Sequence, residues 1–324
     1  MRGKNCCIIY NQPRENALAD ELDVLEQVEY IEHNLKELGV KTYRKGITLD
    51  FINEVGTLVS EKPDFVFNLV ESLNNKGELC YFVPALLNMN NIPYSGNPVE
   101  AMFMTTSKYL TSKTLKKEGI NNPGCWLPSE ADQLEDGHRY IIKPIWEDGS
   151  LGITGDSVFV ASPEMKTKIR TYRDTHWMIE DFIDGREFNI SVLACGPDGP
   201  EVMPAAEMMF HNFEDHMPRI VDFRAKWEEG TFEYENTRRE FPGDNLDPEL
   251  WEKIRKAALD CWKVFGLKGY ARVDMRVDKN SNPYVIEVNA NPCLSPGSGF
   301  ASATRAAGFE FTEVLQRVIR DLNY

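Results

Sequence analysis

The sequence lacks several features that would assign a protein class at once. Its seven cysteines form no Cys-x-x-Cys pair and no zinc-type spacing, and an odd, scattered number predicts reduced thiols in a cytoplasmic protein. No apolar run reaches about 18 residues and no signal-peptide-like segment opens the chain, so we expect no membrane span. No Gly-x-Gly-x-x-Gly motif follows the first apolar run, which argues against a dinucleotide-dependent dehydrogenase.

Positive charge is also scarce. The 324 residues carry a formal net charge of −15, which argues against nucleic acid or an anionic membrane as a partner. An anionic substrate would therefore need basic residues concentrated in one cleft. A hydrophobic content of 42% and a charged content of 27% are those of an ordinary globular protein, and the length allows two or three subdomains.

The first hundred residues alternate between strand-like and helix-like segments. The apolar run from Asn5 to Tyr10 predicts a buried strand, and apolar residues spaced by three and four from Ala17 to Leu38 predict an amphipathic helix. The same order continues to a further strand at Asp64 to Leu69. Such alternation predicts a parallel sheet with helices on its faces. We therefore expect an α/β domain over residues 1–103.

A predicted β-hairpin between Gly269 and Pro292 carries the most informative charge pattern. If the hairpin closes symmetrically around its polar turn, Asp274 lies opposite Glu287 and Arg272 lies opposite Asn289. These four side chains would share one face. The other face would form an apolar core surface from Val273, Met275, Val277, Tyr284, Ile286 and Val288.

Two carboxylates directly opposite each other on a sheet repel and cost stability. A sequence tolerates this when a cation lies between them, and Asp, Glu and Asn oxygens are ligands that Mg²⁺ accepts. Arg272 would add a fixed positive charge beside the metal, and sites of phosphoryl transfer commonly combine a metal ion with an arginine. A solvated, charged hairpin face would give the same pattern, so the hairpin alone leaves both interpretations open.

A lysine and a glycine-rich loop follow one another in the middle of the chain. The segment from Arg139 to Lys143 predicts a strand, and Pro144 keeps the lysine out of a helix. The next segment, Glu147 to Ile153, contains two glycines and Ser150. Such loops offer N–H groups and a hydroxyl to phosphate oxygens, although most Gly-Ser turns are only turns. The loop gains weight from the nearby lysine.

Two carboxylates and a long irregular stretch come next. Glu180 and Glu187 flank a tight turn at residues 184–185, and such carboxylates could accept hydrogen bonds from an adenine amine or from ribose hydroxyls. Exposed turn carboxylates are nevertheless common. Residues 210–241 are rich in charge and aromatic side chains and contain Lys226, and long irregular stretches in compact enzymes are often lids.

The order of these parts resembles the ATP-grasp superfamily and, within it, the D-alanine–D-alanine ligases. The resemblance rests on Ile-Ile-Lys143-Pro with its glycine loop, Ile-Glu180-Asp-Phe with Gly-Arg-Glu187, Ala-Arg272-Val-Asp274, and Glu287-Val-Asn289-Ala-Asn-Pro. It implies an α/β and α+β fold in which the N-terminal parallel-sheet domain precedes a two-part ATP-grasp fold. The expected divisions are residues 1–103, a central ATP-grasp subdomain at 104–185 and a C-terminal subdomain at 186–324 that carries the metal site.

The resemblance also assigns roles to individual residues. It implies that ATP is held by Lys108, Lys143, Glu180, Phe182, Glu187 and Lys226. It implies two Mg²⁺ ions, with Mn²⁺ as a substitute, on Asp274, Glu287 and Asn289. Catalysis would rest on Arg272, which stabilises the acyl phosphate and the tetrahedral intermediate, and on Ser150, which closes over the phosphates. The carboxylate of the second, attacking substrate would lie against Gly297 and Ser298.

The implied activity is an ATP-dependent ligation of a carboxylate to an amine through an acyl phosphate. We expect small-molecule substrates, a cytoplasmic location, and neither a nucleic-acid nor a membrane partner. The oligomeric state stays open, a homodimer included. An ATP-binding regulator without catalysis is an alternative, but such a module would not need Arg272 together with all three metal ligands.

The first-substrate region departs from the family pattern. D-alanine ligases carry an N-terminal Glu-x-x-Ser element, whereas this chain reads Arg14-Glu-Asn-Ala-Leu-Ala-Asp-Glu. Residues 68–78 likewise lack the His-Gly element, and the lid lysine precedes Trp227 rather than tyrosine. Glu15, Asp20 or Glu71 could bind an ammonium group, but no motif selects one of them. A ligase for other amino-acid or amine substrates therefore stays an alternative.

Overall fold

The computed structural model describes residues 1–14, 17, 19–74, 76–147, 149–196 and 199–324. Its strands form a three-stranded, a four-stranded and a six-stranded sheet. The three-stranded sheet is parallel and the other two are antiparallel. The N-terminal α/β prediction and the two-part arrangement behind it are both confirmed. No helix in these ranges is long and apolar enough to cross a membrane.

The first sheet has the order β2-β1-β3 and consists of β1 (Asn5–Asn11), β2 (Lys41–Ile47) and β3 (Phe65–Leu69). Its crossover helices are α1 (Ala19–Glu37) and α2 (Phe51–Glu61). After β3 come a 3₁₀ turn at Gly77–Leu79 and the helix α3 (Phe82–Met89). Pro84 lies in the first turn of α3, where a missing N–H group removes no hydrogen bond.

Two helices follow α3 before the four-stranded sheet begins. They are α4 (Val99–Thr106) and α5 (Lys108–Lys117), separated by Ser107 in an extended conformation. The Ser107 hydroxyl accepts a hydrogen bond from the N–H of Leu110 and so caps α5. The break makes Lys108 the first residue of α5 and turns that lysine toward the centre of the molecule, where it is 6% exposed.

The four-stranded sheet has the order β4-β7-β5-β6. Its members are β4 (Cys125–Trp126), β5 (Arg139–Pro144), β6 (Val158–Val160) and β7 (Trp177–Asp181), with α6 (Pro163–Ile169) between the last two. Strand β5 pairs with both β6 and β7. The predicted strand that ends in Lys143 is therefore central in this sheet.

The six-stranded sheet has the order β11-β10-β8-β12-β13, with β9 pairing to β8. Its strands are β8 (Arg186–Gly196), β9 (Gly199–Val202), β10 (Ala206–Phe210), β11 (Thr237–Glu240), β12 (Tyr270–Val277) and β13 (Pro283–Asn289). Strands β9 and β10 are separate, because Pro204 lies between them and cannot donate to a ladder. The remaining helices are α7 (Phe223–Trp227), α8 (Phe232–Asn236), α9 (Pro248–Val264), α10 (Gly299–Ala306) and α11 (Phe311–Arg320).

The hairpin β12–β13 has the predicted register only on the side away from its turn. Asp274 pairs with Glu287 as expected, but Met275 pairs with Val285, so Ile286 is an extra residue in a β-bulge. The bulge reverses the facing of β13 on the turn side. Val285, at 1% exposure, joins the core in place of Ile286 and Tyr284, for which the symmetric prediction was wrong.

The core of the six-stranded sheet is shared between parts of the chain that are distant in sequence. Helix α9 packs Ile254 and Ala258 against it, and Ala101 and Met102 of α4 belong to the same apolar cluster. Helix α4 thus crosses the boundary expected at residue 103. The first sheet packs against the C-terminal helix α11 in a second cluster.

Candidate active site

A cavity of about 620 Å³ lies between the four-stranded and six-stranded sheets. Both sheets, the start of α5, the glycine loop and the stretch that contains α7 and α8 contribute to its wall. The residues of the sequence prediction that line it are Lys108, Lys143, Ser150, Glu180, Phe182, Glu187, Lys226, Arg272, Asp274, Glu287 and Gly297. Of the predicted site residues that the structure describes, Asn289 and Ser298 do not line the cavity. The structure therefore brings together most, but not all, of the predicted site.

The two opposed carboxylates of the hairpin are each held by a cation of the chain itself. Arg272 donates from Nε and Nη2 to the two oxygens of Asp274, at 2.7 and 2.8 Å. The Nζ atom of Lys108 lies 2.8 Å from Oε1 of Glu287 and also donates to the carbonyl oxygen of Glu147. These pairs offset the repulsion that facing carboxylates would otherwise cause. Lys108 thereby joins α5 to the hairpin.

A second buried pair joins neighbouring strands of the other sheet. Nζ of Lys143 on β5 lies 2.6 Å from Oε2 of Glu180 on β7, and both side chains are almost fully buried. Lys143 also donates to the carbonyl oxygen of Ile286, at 3.2 Å, which is the residue at the bulge. Burial raises the pKa of Glu180, and the charge of Lys143 opposes that shift. The lysine thus bridges the two walls of the cavity.

A third pair involves a residue that the sequence reasoning missed. Arg276 is 4% exposed and its Nη1 donates to Oε2 of Glu187 at 2.7 Å. The same guanidinium donates to the carbonyl oxygens of Ile183, Gly185 and Arg219. It therefore ties the linker between the two sheets to the start of the lid. Period-2 alternation from Asp274 would have placed Arg276 on the same face, so the signal was present.

Phe182, which the resemblance assigns to the ATP site, has two guanidinium groups over its ring. Phe182 lines the cavity, and the guanidinium groups of Arg139 and Arg276 lie 4.6 and 5.2 Å from the centroid of its ring. Its backbone N–H donates to the carbonyl oxygen of Arg139. Two cation–π contacts therefore hold the ring in place at this end of the cavity.

The glycine loop and the predicted lid contact each other directly. Ser150 donates from Oγ to the carbonyl oxygen of Val221 at 2.7 Å, and Nε1 of Trp227 donates to the carbonyl oxygen of Gly149 at 3.0 Å. Lys226 lies between these contacts on the cavity wall, and burial, together with the charge of Arg272, lowers its pKa. The stretch predicted as a lid therefore closes the cavity on the glycine-loop side.

The loop before α10 contains Gly297 and Ser298, the two residues predicted to contact the second substrate. Ser298 is the N-cap of α10 and its Oγ accepts a hydrogen bond from the N–H of Ala301. The side chain of Asn289 also makes a local contact, since its Oδ1 accepts a hydrogen bond from the N–H of Asn291. Gly297 does line the cavity, and beside it lies Arg239 of β11, which no local sequence signal marked.

The donor set at the hairpin fits a magnesium ion in its chemistry. Asp274 and Glu287 are paired across the ladder on the cavity side, and Mg²⁺ is usually bound by one or two carboxylates together with substrate phosphates. No cluster of three or more His, Cys, Asp or Glu side chains with metal-binding geometry occurs in the described ranges. Each of the two carboxylates contacts a cation of the chain, Lys108 or Arg272. Oδ1 of Asn289 accepts one hydrogen bond, from the N–H of Asn291, which leaves its second lone pair for the ion.

Comparisons with known proteins agree with this geometry. The family described as "D-ala D-ala ligase C-terminus" matches residues 125–320. The chain belongs to this family. A D-alanine–D-alanine ligase of Carboxydothermus hydrogenoformans is 29% identical over 282 residues, which cover 82% of this chain and 84% of the relative.

Solved structures show the same fold over nearly the whole chain. The D-alanine–D-alanine ligase of Bacillus anthracis superposes with a TM-score of 0.73 at 22% identity, covering 98% of this chain and 96% of that one. The D-alanyl-alanine synthetase A of Vibrio cholerae gives a TM-score of 0.74 at 16% identity, with 99% of both chains covered. The ATP-grasp fold and the ATP-dependent ligase class predicted from the sequence are thus confirmed.

Proposed function

We propose that this enzyme joins the carboxylate of one small molecule to the amine of another, with an acyl phosphate between the two steps. The observation that carries the proposal is the set of four carboxylate–cation pairs around one cavity, formed by Asp274, Glu287, Glu180 and Glu187 with their partners. A cavity of this kind supplies cations to phosphate oxygens and carboxylates to a metal or to hydroxyl groups.

The proposed reaction has two balanced steps. A carboxylate oxygen of the first substrate bonds to the γ-phosphorus of ATP, the bond from that phosphorus to the bridging oxygen breaks, and ADP leaves. The amine nitrogen of the second substrate then bonds to the acyl carbon, the carbon–oxygen bond to phosphate breaks, and the nitrogen loses a proton. The products are an amide, ADP and inorganic phosphate. A closed lid protects the acyl phosphate from water.

The chain's own cations would neutralise the charge that develops. Lys108, Lys143 and Lys226 converge on the same cavity, and their positions support binding of the phosphate groups. Arg272 lies on the hairpin beside the carboxylates and supports the acyl phosphate. When bound at Asp274 and Glu287, one or two Mg²⁺ ions would supply further charge neutralisation for the phosphate oxygens.

Glu180 and Glu187 support the nucleoside end of the proposed ATP site. Both are buried on the cavity wall near the ring of Phe182. Burial raises the pKa of Glu187, and Arg276 opposes that shift, so the ion pair keeps the carboxylate able to accept hydrogen bonds. We also propose the divisions 1–103, 104–185 and 186–324, with α4 spanning the first boundary and the nucleotide held between the second and third parts.

The names of the relatives support amino acids such as D-alanine as the substrates. The N-terminal third lacks the family's Glu-x-x-Ser element, and this departure supports a different pair of substrates. Glu15 and the side chain of Asp20 lie outside the described part of the chain. Glu71 is described, and its Oε1 accepts from Nε2 of Gln27 at 3.3 Å. A ligase for other amino acids or amines therefore stays a second proposal for the substrates, with the same chemistry.

The test is an ADP-release assay with ATP, Mg²⁺ and a matrix of acids and amines, starting with D- and L-amino acids. We expect at least one acid–amine pair to stimulate ADP formation well above the rate with ATP alone. If ATP binds but no pair stimulates release, the ligase proposal fails. A pair other than two D-alanines would retain the chemistry and reject D-alanine as the substrate.

A further inference from the structure

Helix α3 has an apolar side that is exposed to solvent. Its inward side, which includes Val83 and Leu87, is buried in a core cluster beside the first sheet. On the opposite side Phe82 is 38% exposed and Met89 is 70% exposed, with Leu86 partly buried between them. A helix that is apolar all round is normally covered on every side. The outward side of α3 therefore calls for a partner surface.

Aromatic rings on both sides of α3 extend this apolar surface. The ring of Phe51 on α2 lies 6.1 Å from that of Phe82, and Tyr81 stacks on Phe82 at 4.6 Å. Tyr81 in turn meets Phe103 of α4 in a T-shaped contact at 5.1 Å, and Phe103 is 39% exposed. We name this surface the α3 face, and its members are Phe51, Tyr81, Phe82, Leu86, Met89 and Phe103.

The helix at the centre of the α3 face carries no charge. Among the helices that the structure describes, α3 is the only one without an aspartate, glutamate, lysine or arginine. The chain as a whole has a net charge of −15, so two copies repel each other as they approach. Contact over an uncharged, apolar surface keeps this repulsion smallest. Glu100, one turn before Phe103 on α4, would belong to the polar rim that such contacts usually have.

The order of side chains along α3 suits pairing of this helix with a copy of itself. Phe82 and Met89 lie two turns apart on the same side, with Ala85 and Leu86 midway between them. If two α3 helices cross in antiparallel fashion about a twofold axis at this midpoint, Phe82 of each copy meets the partner's Met89. A thioether against an aromatic ring is a favourable contact. The α3 face is therefore complementary to itself.

The area of the α3 face sets the strength of the association. A large side chain offers about 150–250 Å² when fully exposed, so the exposed parts of Phe82, Phe103 and Met89 amount to roughly 300 Å². Two copies would bury about 600 Å² of apolar surface, and at the usual apolar share of roughly 57% the whole contact would cover about 1,000 Å². That is the lower limit for a specific interface, so we expect a dimer that forms at micromolar concentrations.

We propose that the α3 face is an interface at which a second copy of this chain binds, with the two α3 helices antiparallel about a twofold axis. No residue of the α3 face lines the cavity, so this proposal is independent of the proposed function. The concentration of the protein, rather than that of a substrate, controls the assembly. The tests below therefore need neither nucleotide nor turnover.

The first experiment is sedimentation velocity of wild type and two variants between about 1 and 100 μM. We expect wild type to change from monomer to dimer over this range. Met89→Glu should raise the dimer Kd by about a hundredfold or more, because a symmetric contact would bury two unpaired carboxylates. Val160→Glu is the matched control, since Val160 is 53% exposed on β6 and the substitution adds the same charge elsewhere.

Val160→Glu should dimerise as wild type does. Because Met89 is 70% exposed, the melting temperature of dilute Met89→Glu should equal that of dilute wild type, which shows that the fold is intact. Wild type that stays monomeric at about 100 μM would overturn the proposal. Equal dimerisation of Met89→Glu and wild type, or an equal loss in both variants, would also overturn it.

The second experiment tests the antiparallel pairing by disulfide cross-linking of Phe82→Cys and Met89→Cys. Within one chain these positions are two helical turns, about 10 Å, apart, which is too far for a disulfide. Oxidised alone, each variant should give no more linked dimer than wild type, whose exposed Cys195 sets the background. A mixture of the two variants should give a linked heterodimer. No linked product from the mixture, or as much from one variant alone, would overturn the proposed pairing.

Discussion

The hairpin side of the cavity and the N-terminal third hold their acidic groups in different ways. On the hairpin side, Asp274 and Glu287 each contact a cation at 2.7 to 2.8 Å. In the N-terminal third, Asp23 of α1 accepts from neutral groups, the thiol of Cys293 at 2.9 Å and the amide of Gln27 at 3.5 Å. Both regions converge on the loop after β13, because Gln27 also accepts from the N–H of Leu294.

The difference shows which acidic groups of the site are already paired with cations of the chain itself. Within the cavity, lysine and arginine side chains pair with the carboxylates that would bind a metal ion and a nucleotide. This half of the site is therefore arranged for a substrate whose charge is known, the nucleotide. Asp23 lies beside neutral donors, and burial together with the neighbouring carboxylate of Asp23 raises the pKa of the Cys293 thiol, which therefore stays protonated. The two halves thus make separable contributions, and the following predictions test that separation.

The largest effect should come from Glu287→Ala. Loss of this carboxylate removes a proposed metal ligand and leaves Lys108 without its partner, so turnover should fall by about 10³-fold or more. ADP release in a titration with Mg²⁺ is the measurement. Glu252→Ala, at an exposed carboxylate of α9, should retain wild-type turnover. Near wild-type turnover in Glu287→Ala would refute the metal assignment.

Among the ion pairs of the cavity wall, loss of the Lys143–Glu180 pair in Lys143→Met should lower the free energy of unfolding most. It leaves Glu180 buried without its cation and removes the bridge to Ile286, which should cost about 3 kcal/mol in the free energy of unfolding. Urea denaturation of the variant and of Lys143→Met/Glu180→Leu measures this. We expect the double variant to regain part of the loss, because it buries no unpaired carboxylate. A double variant less stable than the single one would contradict this account.

Arg276→Met should weaken the nucleotide site without affecting the amine site. Glu187 would lose a charge-assisted hydrogen bond worth on the order of 1.5 kcal/mol, so the KM for ATP should rise by about tenfold. Arg139→Met is the matched control, since Arg139 also lies over Phe182 but pairs with Asp184 instead. If both variants changed the KM for ATP equally, the ring contact rather than Glu187 would be responsible.

Substitutions in the N-terminal third should have the smallest effect on the KM for ATP. Gln27→Leu removes the acceptor of the Leu294 N–H and the donor to Asp23, and should alter the KM of an amino-acid substrate by about threefold. The KM for ATP should stay unchanged. Glu26→Ala, exposed on the same helix, should leave both constants at their wild-type values. A change in the KM for ATP alone would contradict the separation of the two halves.

Local patterns in the sequence predicted the parts of the site that lie within one element. Alternation along β12 placed Arg272 and Asp274 on one face, and the pairing of Asp274 with Glu287 followed from the hairpin. The bulge at Ile286 did not follow, because one extra residue changes no composition and leaves the flanking pattern apolar. Its consequence, a carbonyl oxygen turned to Lys143, needed the structure.

Contacts between distant segments could not be predicted. Arg239 meets Gly297 across 58 residues, and Asp23 meets Cys293 across 270. Neither pair has a spacing that a helix or strand would impose, so only the packing of β11 against the loop and of α1 against the same loop brings them together. The substrate side of the site, which depends on such contacts, was therefore the part left open by the sequence.

The most direct measurement of the central claim follows oxygen from the acid to phosphate. An acid that stimulates ADP release, D-alanine being the first to try, is labelled with oxygen-18 in its carboxylate, and the inorganic phosphate formed is analysed by mass spectrometry. Reaction through an acyl phosphate predicts one oxygen-18 atom in each phosphate released together with ADP and an amide. Unlabelled phosphate, or label found in AMP, would contradict the mechanism proposed for this cavity.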